Sequence, residues 1–252
     1  LLMVLLQGNT MSNANDASQV DTLIDESTRS YQLYSRPHAI WLTEDDKVGA
    51  NLPRLNKVLA LATEKHQRPE IVIYTVPFRD LGQSSEGGFD NHVDYLADNQ
   101  VIADKIKEYV NAGGIAPRVY LEPDGLAHAV QYRRDFNDNA LSLQIYENRT
   151  QSTLALIKMY HKAGALVYLD AAHSGWFDYT DSDIDAMATV LKKAGIKHAD
   201  GLVTNVSNRQ KVTDHIEKNE HHYLSRLLPK LKNKGLDVVV DTSRNGGSTK
   251  AR

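Results

Sequence analysis

The chain of 252 residues contains no cysteine. Disulfide staples, thiolate metal sites and a cysteine nucleophile are thereby excluded. The absence leaves the compartment open, because a domain of this size can hold itself together by its core. Charge of one sign is not in excess. The formal net charge is −3 and the basic residues are spread along the chain. No Lys/Arg stripe points to nucleic acid or an anionic membrane as a partner. The apolar N-terminal run "LLMVLL" is far too short to span a bilayer. Several motifs are also missing. No G-x-G-x-x-G follows the first apolar run, which weakens a dinucleotide-binding reading. No H-x-H or H-E-x-x-H supports a metal site, and no G-x-S-x-G supports a serine nucleophile. What is present is ordinary for a soluble globular protein, with 41% hydrophobic and 24% charged residues.

Six short apolar runs recur: "HAIWL" near 40, "IVIYTV" near 73, "RVYLEP" near 120, "ALVYLDA" near 168, "GLVTNV" near 203 and "DVVVDT" near 239. Segments of helical period lie between them, such as "NLPRLNKVLALATEKH" and "HVDYLADNQVIADKIKEYVNAG", the second closed by Gly113 and Gly114. Strands alternating with helices imply a parallel sheet with right-handed crossovers. Nearly continuous apolar strands imply that both faces are covered. The predicted fold is α/β, a distorted parallel-stranded (β/α) barrel that is a variant of the TIM barrel. Residues 1–30 read as a signal-peptide remnant and leader, which implies a secreted, extracellular protein. Residues 31–252 read as one barrel domain whose closing C-terminal units are missing, since "VVVDTSRNGGSTKAR" runs from a strand into a glycine-rich loop.

Each apolar run ends in polar chemistry. "YTVPFRDLGQSSEGG" puts a phenol, an Arg-Asp pair, two serines and two glycines directly after a strand. "EPDGLA", "DAAHSGW", "TNVSN" and "DTSRNG" close the later ones. In a parallel barrel these ends meet at one face, where active sites sit. Asp80, Asp124 and Asp170 end three different strands and are expected to converge. Like charges in one place raise one another's proton affinity, and a carboxylic acid kept protonated near neutral pH can serve as a general acid. For any one of these aspartates a helix N-cap is the competing reading. Asp170 and His173 also allow a metal-ligand reading, weakened by the missing motifs. His215, His221 and His222 read as a solvated helical face. "NRT" at Asn148 fits a glycosylation sequon.

These motifs together resemble glycoside hydrolase family 6, the inverting cellulases. "YTVPFRDLGQSSEGG" resembles that family's Tyr-x-x-Pro-x-Arg-Asp-Cys loop with its Ser-x-Gly-Gly ending. "YLEPDGLA" resembles its Glu-Pro-Asp motif, and "VYLDAAHSGW" its Tyr-Leu-Asp-Ala-Gly-His-x-Gly-Trp motif. "AIWL", "TNVSN" and "VVVDTSRNGG" resemble its first-strand and later segments in order. The resemblance implies hydrolysis of β-1,4-glucosidic bonds with inversion. It implies a β-glucan substrate, a monomer and no cofactor. An open cleft and endo action are favoured because the stretch after Gly88 is short. A glucan-binding chain without turnover is the alternative.

Carried to matching positions, the resemblance makes Asp124 the general acid. Asp80 would sustain its proton affinity, Tyr74 would press on the sugar at the cleavage point, and Ser85 would place the attacking water. Trp41 and Trp176 would stack on glucose rings, with Tyr179 on a more distant one. Asp170 and His173 would bind sugar hydroxyls near the cleavage point, and Asn205 and Arg244 would add polar contacts to the substrate or its neighbouring loops. The sequence departs from the family at Leu81, where the family has a cysteine, and at Ala172, where it commonly has glycine. The family's base-bearing Lys-Pro-Gly-Glu segment is expected beyond Arg252.

Overall fold

The computed structural model describes residues 3–5, 39–213, 219–233 and 235–244. All six predicted strands form. They are β2 (Ile40–Leu42), β3 (Glu70–Ile73), β4 (Arg118–Leu121), β5 (Leu166–Asp170), β6 (Gly201–Thr204) and β7 (Asp237–Val240). A seventh, β1 (Met3–Leu5), pairs in parallel with β7. The sheet order is β1-β7-β6-β5-β4-β3-β2, and every pairing is parallel. Among the described residues, β1 and β2 are opposite edges and the sheet is open between them. Apart from β1, the N-terminal leader reading lies outside the described residues.

Strand alternation divides the core in two. Ile71, Ile73, Val119, Leu121, Val167 and Leu169 belong to the large cluster packed with the helices. Val72, Tyr120, Tyr168, Val203 and Val239 form a second cluster on the other face of the sheet, with Trp41 and Tyr74 packed against it. Pairing places Trp41, Val72, Tyr120 and Tyr168 in one row, each aligned with the next. Gly201 continues that row toward Asp237, and there the absence of a side chain matters. A Cβ would lie 2.6 Å from the Tyr168 ring and 2.4 Å from the Asp237 carbonyl oxygen.

The helices follow local signals. In α1 (Leu52–Lys65), a proline occupies the first turn, and His66 closes the helix in the left-handed region at φ 53°. In α2 (His92–Asn111), the Asn91 side chain caps Val93 and Asp94 N–H. Next come α3 (Gly125–Asp135), α4 (Ala140–Lys162) and the single turn α5 (Ser174–Phe177). Thr180 and Asp183 form a capping box at the start of α6 (Asp181–Lys193). The last is α7 (Glu220–Leu231).

Two expectations change. His222 is not simply solvated, because its Nδ1 lies 2.6 Å from the buried Asp178 carboxylate, which also binds Arg226. His221 is exposed, and His215 lies outside the described residues. The "NRT" triplet falls inside α4, and Thr150 is buried with its hydroxyl donating to the Glu147 carbonyl.

Candidate active site

The loops after β3, β4, β5, β6 and β7 surround a cavity of about 630 Å³ at the C-terminal ends of the strands. Eight of the predicted residues stand on its wall: Trp41, Tyr74, Asp80, Ser85, Asp124, His173, Trp176 and Arg244. The backbone is bent sharply to put them there. Asp80, Glu122, Asp124, Ala172, Asn205 and Ser207 all adopt the left-handed region, at φ 47°, 49°, 64°, 56°, 63° and 55°. Non-glycine residues there carry strain of about 1–2 kcal/mol each, held in place by surrounding bonds.

Those bonds are visible for the β3 loop. Glu122, fully enclosed beneath it, accepts from Thr75 N–H at 3.0 Å, Val76 N–H at 3.1 Å and Tyr95 O–H at 2.9 Å. Burial raises the Glu122 carboxyl to about 7 against the pull of these donors. Arg149 is also buried, and burial lowers its guanidinium from the usual value. It donates to the carbonyls of Gly125 at 2.6 Å and Phe78 at 2.7 Å, linking the β3 loop to the start of α3. Arg79 closes the loop from outside, donating to the carbonyls of Tyr74 and Ser85 and pairing with Asp45 at 3.2 Å. Asp45 in turn accepts from Gly88 N–H at 2.6 Å. Gly88 is obligatory, since its φ is +94° and a Cβ would meet the Val76 oxygen at 1.9 Å.

Asp80 and Asp124 are driven apart electrostatically. Burial would raise the Asp80 carboxyl, but hydrogen bonds from His128 and Tyr74 overcome it and leave the group below its usual value. The Tyr74 hydroxyl donates to Oδ2, and His128 Nδ1 lies 3.1 Å from Oδ1. Burial, followed by the Asp80 bond and charge, raises the Tyr74 phenol, so it stays protonated. Asp124 moves the other way. Burial pushes it up to about 6, and the charge of Asp80 adds to the rise. One carboxylate is therefore held ionised and its neighbour is held able to carry a proton.

Trp41 meets the Tyr74 ring edge-on at 5.3 Å, and Trp176 lies 4.8 Å from the His128 ring and 5.9 Å from that of His173. Burial lowers His173 to about 4, so it is a neutral imidazole. Arg244 contributes an exposed cation on the wall.

Three predicted contact residues stand elsewhere. Asp170 lies behind the wall. It is buried, and its Oδ2 accepts from Asp124 N–H at 2.9 Å and Ala172 N–H at 3.0 Å. Burial and the Asp124 charge raise its carboxyl well above the usual range. Asn205 is also buried. Its amide donates to the carbonyls of Gln210 at 3.0 Å and Asp241 at 2.8 Å, joining the loops after β6 and β7. Tyr179 is 58% exposed and does not line the cavity. The motifs fixed where Asp170 and Asn205 sit at the strand ends but not which way they point. Seven wall residues were not predicted, among them His128, Gln83 and Gln131. His128 and Gln131 follow Asp124 by four and seven positions, a helical spacing that puts all three on one face of α3. Among the described residues, no group of three or more His, Asp or Glu side chains is arranged to hold a metal ion.

The fold has counterparts. The endoglucanase Cel6 of Mycobacterium tuberculosis, solved with methyl-cellobiosyl-4-deoxy-4-thio-β-D-cellobioside, superposes with a TM-score of 0.69 at 22% identity, over 96% of this chain and 73% of that one. The cellobiohydrolase Cel6A core domain of Chaetomium thermophilum does so with a TM-score of 0.69 at 23% identity, over 99% and 74%. Among curated proteins, Endoglucanase 1 of Streptomyces sp. (strain KSM-9) is 32% identical over 218 residues, which is 85% of this chain and 54% of the relative. Exoglucanase 3 of Agaricus bisporus is 27% identical over 246 residues, 87% of this chain and 52% of the relative. The chain thus spans about half the length of the curated relatives it matches. The sequence model described as Glycosyl hydrolases family 6 matches residues 7–252, and the chain belongs to that family.

Proposed function

We propose that the complete protein hydrolyses β-1,4-glucosidic bonds of cellulose or β-glucan with inversion of configuration, acting within chains. The observation that carries the reading is a carboxyl raised to about 6, Asp124, beside a carboxylate held ionised, Asp80, in a cavity bordered by two tryptophans. Asp124 protonates the glycosidic oxygen as the bond breaks. The charge of Asp80 keeps the proton on Asp124 until it is needed, while Tyr74, bonded to Asp80, presses its ring toward the sugar. Ser85 helps place water. Trp41 and Trp176 offer flat apolar surfaces to pyranose faces, whose edges carry the hydroxyls that His173 and Arg244 meet.

Inversion also requires a base on the opposite face of the sugar, roughly 6.5–9.5 Å from the acid. Among the described residues, the carboxylates on the cavity wall are Asp80 and Asp124. The resemblance to the family assigns the base to the Lys-Pro-Gly-Glu segment that follows these motifs in its members, so the proposal concerns the complete protein. The short stretch between Gly88 and α2, which starts at His92, favours an open cleft and endo action. Secretion and a monomeric state complete the reading.

The test is to incubate the complete protein with carboxymethyl-cellulose and barley β-glucan. Viscosity should fall faster than reducing ends accumulate, and the first anomer seen by NMR should be α. Exo action would release cellobiose with little loss of viscosity. A second reading, glucan binding without turnover, rests on the absence of a separate base among the described wall residues. Heat on titration with β-glucan and no product would establish it.

A further inference from the structure

His128 has no role in the sequence motifs, yet it sits at the centre of the site. Its side chain is about 5% exposed. It stacks on Tyr132 with parallel rings 5.5 Å apart and meets the Trp176 ring edge-on. Its backbone N–H donates to the Asp124 carbonyl at 2.8 Å, so the imidazole and the acid share the first turn of α3. Both ring nitrogens are used. Nε2 lies 3.1 Å from the Gln83 amide nitrogen, which can only donate. Nε2 is then the acceptor, the proton is on Nδ1, and Nδ1–H donates to Asp80 Oδ1 at 3.1 Å. The chain of donors runs from Gln83 through His128 to Asp80, and Tyr74 supplies the donor on the other oxygen. Asp80 is thereby fixed in both orientation and charge by one group from its own loop and one from the helix that carries Asp124.

We propose that His128 is a positioning residue for the hydrolytic reaction, holding the Asp80 carboxylate in register with Asp124 across the β3 loop and α3. The inference rests on the hydrolytic reading for its consequence, but the bond to Asp80 is independent of it. The charged and titratable groups around His128 are Asp80, Tyr74 and Arg79 on the β3 loop, Asp124 and Tyr132 on its own helix, and His173 beside Trp176. Asp80 is the one its ring bonds, so loss of the ring is felt first there.

Three variants of the complete protein separate the possibilities. His128→Leu removes both bonds. His128→Asn places an amide nitrogen near the position of Nδ1 and keeps the donor to Asp80. His128→Gln reaches toward Gln83 instead. The carboxyl ¹³C resonance of Asp80, followed against pH, reads the bond without any turnover. The midpoint should rise in the Leu and Gln variants and stay near the parental value in the Asn variant. In parallel, kcat should fall about 10- to 100-fold for Leu and Gln with KM within threefold, the acid limb of the pH profile moving to higher pH. Asn should restore most of both. An unmoved Asp80 midpoint in His128→Leu overturns the proposal, as does a moved midpoint with parental kcat. If Leu fails to melt cooperatively, the Asn and Gln pair decides, since equal behaviour of the two also overturns it. A parent that releases no sugar while the Asp80 midpoint still responds would refute the hydrolytic reading and not the bond.

Discussion

The carboxylate of Asp170 accepts the backbone N–H of Asp124 at 2.9 Å, so the residue that ends β5 holds the main chain of the residue that precedes α3. Asp124 stands at φ 64° with no cap bond from its own side chain. Its carboxyl is therefore free to face the cavity, while a neighbouring strand anchors its main chain.

This division of labour makes the Asp170 variants informative. In Asp170→Ala, two buried N–H groups lose their acceptor, at a cost of about 1–3 kcal/mol each. Folding stability and turnover should both drop. Asp170→Asn should be far milder, because an amide oxygen can accept both N–H groups. Its nitrogen would occupy the place of Oδ1, which has no hydrogen-bond partner among the described residues. Thermal melts and β-glucan assays of the two variants check the contrast, and equal damage would count against the anchoring role.

Asp124→Asn keeps the shape but cannot yield a proton. Activity of the complete protein on natural glucans should fall about 10²–10⁴-fold, with less loss on a substrate carrying a very good leaving group. Cleavage of carboxymethyl-cellulose at near the parental rate would remove Asp124 from the acid's role.

The same variant has a pH-dependent effect on stability. The folded carboxyl lies at about 6, above its ordinary value of 3.8. Ionisation is disfavoured in the folded state, so the contribution of this group to stability is complete below about pH 4 and is lost as pH rises through about 6. The Asn variant escapes that loss. It should melt with the parent near pH 4 and above it at pH 7. The basic limb of parental activity should fall in the same range as the acid ionises, which a profile of kcat/KM from pH 4 to 9 would show.

Arg149→Met should unsettle the β3 loop. The carbonyls of Phe78 and Gly125 would lose a buried charged donor, for at least about 2 kcal/mol. Arg149→Lys should recover part of this, since an ammonium can reach one carbonyl but not the fan that a guanidinium spans. Urea unfolding midpoints rank the three proteins, and Met equal to Arg would mean that the loop is held by its other bonds.

Much of this was legible in the chain. The six apolar runs are β2 to β7, because strands covered on both faces leave an unmistakable hydrophobic signature. The convergence of polar strand ends followed from parallel topology alone. What did not follow was the direction of individual side chains. Asp170 occupies a motif position, yet its carboxylate bonds the main-chain N–H groups of Asp124 and Ala172 rather than the cavity, while Asn205 joins neighbouring loops, one of the two contacts expected of it. His128 escaped notice for another reason. Its spacing of four from Asp124 marks the helix face but not the bonds, since its partners Asp80 and Gln83 lie more than forty positions away. The β1 pairing with β7 was hidden as well, since a three-residue apolar run carries no periodicity.

The buried pair Glu122 and Arg149 has a consequence for anyone recombining this chain with its relatives. Residues 75–78 take their shape from a carboxylate on the next strand's loop and a guanidinium on α4, about seventy positions downstream. A chimera with its crossover between Gly88 and Arg149 would inherit the visible loop without one or both of the groups that mould it. Breakpoints placed after α4 keep that unit together, so the exchangeable block here is the whole span from β3 through α4 rather than the loop that faces the cavity.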